Sequence, residues 1–126
     1  MHNKEVILSK FEYVSQHVLQ IKEYTKSIKN SDDYEISFEG VTLFDATMMR
    51  LQALGENLKQ IELKAPEFLE RHSEIDWEKI IRFRDFISHH YEKLESEIIF
   101  EICTVFIPKL ELVINAIILE ITNQNN

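Results

Sequence analysis

Lys4-Glu5-Val6-Ile7-Leu8-Ser9-Lys10-Phe11-Glu12-Tyr13-Val14-Ser15-Gln16-His17-Val18-Leu19-Gln20-Ile21 puts apolar side chains at 7, 11, 14, 18 and 21, in alternating steps of four and three. That spacing traces one stripe of an α-helix and is incompatible with the two-residue repeat of a half-buried strand. It predicts a first helix over residues 4–29. At about 1.5 Å per residue such a helix reaches nearly 40 Å, long enough for the full wall of a bundle.

The rest of the chain agrees with that beginning. Two glycines and two prolines in 126 residues leave few of the turn residues that hairpins need, while Leu, Ile, Glu and Lys fill the long segments. Residues 34–41 alternate in character but are too short and isolated to build a sheet, and read as a loop. Thr42 then reads as the cap of a second helix over 43–63, with Asp45 near its positive end and Phe44, Met48, Leu51, Gly55 and Leu58 on its seam. An interior glycine costs about 1 kcal/mol relative to alanine. Gly55 therefore predicts another helix passing where a side chain would intrude.

Ala65-Pro66-Glu67 opens a short helix ending near His72, and Asp76 caps a third main helix over 77–92. A fourth starts near Glu95 with Ile98, Ile99, Ile102 and Phe106 inward. Pro108 lacks the N–H of a helix ladder and predicts a break or sharp kink before a fifth helix striped by Leu110, Ile114, Ile117 and Ile121. Residues 123–126 are expected to fray. The expectation is one domain over 1–126, an all-α antiparallel bundle of four to five helices with one short extra helix.

Composition narrows the function. A formal net charge of −8 opposes sequence-independent phosphate binding over the whole surface. Locally, however, Arg82, Arg84, His89, His90 and Lys93 lie within twelve residues, and a substrate responds to the local field. A single cysteine, Cys103, excludes an internal disulfide framework and fits the cytoplasm. The amino terminus has no apolar signal core, and the apolar region 98–121 carries Glu101, Lys109, Glu111 and Glu120, so neither export nor a membrane span is expected. There is no glycine-rich phosphate loop and no Glu-x-x-His pair for a carboxylate-bridged metal site.

Chemistry concentrates in Arg82-Phe83-Arg84-Asp85-Phe86-Ile87-Ser88-His89-His90-Tyr91. On a helical wheel Ile80, Phe83 and Ile87 form the core side, and Arg84, Ser88 and Tyr91 share one edge of it. Asp85 stands one turn before His89, placed to orient that imidazole. His90 falls at the core edge beside Phe83 and Phe86. Arg84 and His89 are separated by roughly 140° on an ideal helix. A helix end near His89 or a cleft shared by two copies of the chain would reconcile them, the second being the expectation.

Arg84-x4-His89-x-Tyr91 resembles the R-[ND]-x-[LIV]-x-H-x-Y signature of HepT-type toxins in the HEPN superfamily. Arg50-Leu51-Gln52-Ala53-Leu54-Gly55-Glu56-Asn57-Leu58 is similar to that family's R-x-L-x-x-[IL]-G-E-A segment, and 75–81 to the entry of its motif helix. Asp85 replaces the commoner Asn. The resemblance implies a toxin of a two-gene module, a metal-independent endoribonuclease without cofactor, acting on RNA rather than DNA as a homodimer. It implies Arg84 and His89 as catalytic residues with Asp85 and Tyr91 in support, and a minimal nucleotidyltransferase antitoxin that attaches AMP to Tyr91. The contrasting expectation is a non-catalytic helical module that only docks such a partner.

Overall fold

The computed structural model describes residues 3–124. Helix α1 runs Lys4–Thr25, α2 Phe38–Lys64, α3 Glu67–Glu70, α4 Trp77–His90, α5 Ser96–Glu101 and α6 Ile107–Gln124. Single 3-10 turns occupy Ser31–Tyr34 and Tyr91–Lys93, and a π turn, Ile102–Phe106, joins α5 to α6. Among the described residues there is no strand. The fold is an all-α bundle.

Asn3 starts α1, its side chain accepting from the Glu5 and Val6 amides, and the stripe Ile7, Phe11, Val14, Val18 and Ile21 is buried as its spacing predicts. Each such fully buried apolar side chain stabilises the fold by about 1.5–3 kcal/mol. Helix α1 packs on α2 and on α6, while α4 lies along the far side of α2. The α1 wall is tied to α6 by Lys22 Nζ and Glu111 Oε1 at 2.8 Å, and the α2–α4 connection to the end of α6 by His72 Nε2 and Glu120 Oε1 at 3.1 Å.

Three expectations need correction. Helix α2 begins five residues before 43: Ser37, not Thr42, caps it, its hydroxyl accepting from the Gly40 amide at 2.9 Å. Thr42 instead donates to the Phe38 carbonyl inside the helix. The start is early because Gly40 lets the preceding turn press against it; a Cβ there would lie 1.8 Å from the Asp33 carbonyl oxygen. Helix α1, in turn, ends at Thr25, before Lys29.

The third correction concerns Pro108. The helix is not interrupted there: Ser96–Asn123 is one helical run, with a π turn just upstream of the proline. By length and composition this run is apolar enough to cross a bilayer. In the bundle its Ile99, Cys103, Ile107, Leu110, Ile114, Ile117 and Ile121 are buried in the shared core. Its outer face leaves Ile98, Val105, Leu112 and Leu119 exposed at intervals of seven. Helix α6 continues to Gln124, and residues 125–126 of the tail expected to fray lie outside the described residues.

Candidate functional site

The candidate site is built on α4. Asp76 caps it, accepting from the Lys79 amide at 3.1 Å, and Trp77 is anchored by its indole N–H to the His72 carbonyl at 3.0 Å. Ile80 and Ile87 are buried and Phe83 is partly buried, so the core side is the one the wheel assigned. That seating turns Arg84, Ser88 and Tyr91 toward α2.

Three polar contacts join that edge to α2 in antiparallel order. Arg84 Nη2 lies 3.1 Å from Glu56 Oε2, Gln52 Nε2 donates to Ser88 Oγ at 2.6 Å, and the Tyr91 hydroxyl donates to Asp45 Oδ1. Positions 45, 52 and 56 on α2, and 84 and 88 on α4, have the steps of four and seven that keep side chains on one face, and Tyr91, in the turn just past the end of α4, extends the series. The result is a polar ladder beside the apolar seam.

Gly55 sets the closeness of the two helices. A Cβ at that position would lie 2.6 Å from Arg84 Cβ and 3.2 Å from Arg84 Cγ. The passing helix that Gly55 predicts is thus α4, and the group that fills the space is the stem of Arg84. The Arg84 side chain is 30% exposed, and its guanidinium is gripped on its other side by Asp85, with Nη1 donating to Oδ1 at 2.8 Å. This hydrogen bond is the main influence holding the Asp85 carboxyl below the usual carboxylate range; desolvation opposes it, and the positive fields of Lys59, Arg84 and His89 add to the lowering. The guanidinium fork therefore stands between two carboxylates. Carboxylate and phosphate oxygens suit the same fork, so a phosphate would have to exchange with Glu56 or Asp85.

His89 lies in the last turn of α4, exposed, its imidazole without a hydrogen bond among the described residues. Asp85 makes its hydrogen bond to Arg84 and not to His89, because the guanidinium, pinned by Glu56 on the far side, brings a charged donor to it first. His89 is the penultimate residue of α4, and among the described residues no hydrogen bond or ion pair joins it to Arg84, from which an ideal helix turns it by roughly 140°. His90 is exposed beside Phe86, the ring centroids 4.9 Å apart, and is not a core-edge residue. Tyr91 opens the following 3-10 turn, its ring 6.5 Å from Phe44 in an edge arrangement. Phe44 in turn meets the buried Tyr34 at 5.4 Å.

Asp45, Gln52, Glu56 and Lys59 belong to this neighbourhood, and sequence reasoning assigned none of them a role there. Asp45 was expected to serve the helix dipole, yet it sits two turns inside α2. The available signal was their shared spacing along a polar strip flanking the seam. Arg50, in the same segment as Gly55, faces the other way: its Nη1 lies 3.2 Å from His17 Nδ1 on α1.

A helical bundle whose motif helix presents an arginine and a histidine, with a tyrosine just past its end, at R-x4-H-x-Y spacing has the pattern of the HEPN domains. Residues 14–117 match the family described as Ribonuclease HepT-like, and the chain belongs to that family. It is similar to a protein of Methanocaldococcus jannaschii named "Gamma-glutamylcyclotransferase and putative RNase MJ0434", at 32% identity over 87% of this chain and 49% of that protein. It is also similar to "Putative RNase TTE0752" of Caldanaerobacter subterraneus subsp. tengcongensis, at 30% identity over 76% of this chain and 83% of that one. The chain thus spans about half the length of the first relative and most of the second. No solved structure matches it significantly.

Proposed function

We propose that this protein is the toxin of a HEPN and minimal nucleotidyltransferase module, a metal-independent endoribonuclease of the cytoplasm. In this reading the RNA's own 2′-hydroxyl attacks the adjacent phosphate. Imidazole is the side chain suited to moving protons near neutral pH, and His89 moves them here. The Arg84 fork takes up the charge that builds on the phosphate oxygens. Asp85 and Glu56 hold the guanidinium until RNA replaces one of them, and Tyr91 flanks the phosphate. The observation that carries the reading is Arg84 itself: a glycine is spent inside α2 to let it approach, and two carboxylates aim its fork.

Because no hydrogen bond or ion pair among the described residues links Arg84 to His89, the working cleft in this reading lies between two copies related by a two-fold axis. Support comes from apolar surface that lacks a partner: Ile98, Val105, Leu112 and Leu119 along the last helix, and the stacked Phe83 and Phe86 on α4. Between these faces runs a groove of about 280 Å³ lined by Ile80, Phe83, Ile98, Ile102, Val105 and Phe106, with Lys79 and Glu101 also on its walls. Neutralisation occurs by attachment of AMP to Tyr91, which is 44% exposed and reachable. The added charge and bulk then compete with RNA for the site.

The test is cleavage of total tRNA and messenger RNA by the purified protein. Arg84→Ala and His89→Ala should each abolish it with helicity retained, and EDTA should leave it intact. Undiminished cleavage by His89→Ala would end the catalytic assignment. A protein that is strictly monomeric at micromolar concentration and fully active would end the shared cleft. One observation favours a second reading, a docking module without catalysis: the guanidinium already has two carboxylate partners. That reading expects no RNA cleavage by the wild type and stable co-purification with a nucleotidyltransferase.

A further inference from the structure

Tyr91 and Asp45 come from elements 46 residues apart in sequence, and their hydrogen bond is the outermost rung of the α2–α4 ladder. Both residues are exposed, so the pair is open to a reagent from solvent. The phenol ring is steadied by its edge contact with Phe44, which leaves the hydroxyl aimed at one carboxylate oxygen. Nothing in RNA cleavage by Arg84 and His89 requires that carboxylate. A phenol that must become a nucleophile does require one, because its proton has to leave as the new bond forms.

We propose that Asp45 is the proton acceptor and positioning residue for AMP attachment to Tyr91, an inference that rests on the modification proposed above. The Tyr91 hydroxyl oxygen attacks the α-phosphorus of ATP. The bond from that phosphorus to the β-phosphate bridging oxygen breaks, and pyrophosphate leaves with the electron pair. The phenolic proton passes to Asp45 Oδ1 and from there to water, which its exposure permits. Afterwards the tyrosine oxygen has no proton to donate, and the new phosphodiester carries a negative charge against the Asp45 carboxylate. Loss of the hydrogen bond and like-charge repulsion then drive the modified ring off α2. Modification would thus undo the rung that fastens the end of α4, next to His89, in addition to filling the cleft.

The experiment uses the full chain, ATP and its cognate nucleotidyltransferase, with AMP incorporation followed by peptide mass spectrometry. Wild type should be modified on Tyr91. Asp45→Asn keeps an accepting oxygen but cannot carry the proton away; it should slow transfer by about 100-fold in kcat with little change in KM. Its rate should climb with hydroxide over about pH 7–9, where wild type is flat, and Asp45→Glu should recover part of the loss. Circular dichroism on each variant confirms that the bundle is intact. Equal rates and equal pH profiles for wild type and Asp45→Asn overturn the role of Asp45 and leave the modification standing. Wild type that gains no AMP on Tyr91 overturns the modification itself, and Asp45 with it.

Discussion

Gly55→Ala isolates the contact on which the site is seated. Taken as a helix substitution alone, it should stabilise α2 by about 1 kcal/mol. The new methyl, however, would stand 2.6 Å from Arg84 Cβ, where ordinary carbon contacts begin near 3.5 Å. The obstruction is at the root of the side chain, so no rotamer of Arg84 relieves it. Helix α4 must instead retreat from α2 by about 1 Å, and overpacking of this kind costs about 1–3 kcal/mol. The balance is a net loss of up to about 2 kcal/mol, which a domain of this size shows as a fall in melting temperature of several degrees. The same retreat lengthens the Arg84–Glu56 pair and loosens the Gln52–Ser88 hydrogen bond. If Arg84 has the role proposed for it, a shift of about 1 Å is worth on the order of 100-fold in rate, so RNA cleavage should fall far more than stability does. The assays are a thermal melt followed by circular dichroism and the cleavage assay at a temperature where both proteins are folded. A variant that melts higher and cleaves as fast as wild type would refute the argument, because it would mean that α4 does not rest on Gly55.

Other regions give independent tests. His17 is held below its ordinary pKa, first by burial and second by the Arg50 guanidinium, so the folded chain keeps it neutral where the unfolded chain protonates it. Stability should therefore be complete above about pH 6.5 and decline as pH drops below it; the loss of melting temperature between about pH 7.5 and 5 should shrink in His17→Gln, and an unchanged loss would reject the assignment. Burial pushes the Cys103 thiol up to about 11, so iodoacetamide near pH 8 should label it only in denaturant. Rapid labelling of the native protein would show that the α5–α6 junction opens. Asp76→Ala removes the cap of α4 and should cost about 1 kcal/mol. A melt identical to wild type would show that Trp77 alone fixes that helix start.

Much of the fold was legible because each helix carries its own instructions. The steps of four and three at Ile7, Phe11, Val14, Val18 and Ile21 state a buried stripe without reference to any partner, and Asp76 before Trp77 states a helix start. The errors came where two segments press on one another. Thr42 had the right chemistry for a cap, yet α2 begins earlier because the turn at Asp33 packs directly against Gly40. Pro108 is a different case, read as a break because its local effect is disruptive, whereas Ser96–Asn123 is one helical run with a π turn just upstream of the proline.

The motif residues Arg84, Asp85, His89 and Tyr91 could be picked out in one dimension, since their side chains are chemically distinctive and their spacing is regular. Their partners could not. Glu56, Gln52 and Asp45 are ordinary polar residues on a solvated-looking strip, and only the antiparallel approach of α2 and α4 turns them into the groups that grip Arg84, Ser88 and Tyr91. Helical periodicity is a property of a single segment, so the chain alone determines which faces are apolar and where the reactive groups stand. Which carboxylate meets which donor depends on the distance between two helices, and here a missing side chain at Gly55 sets that distance.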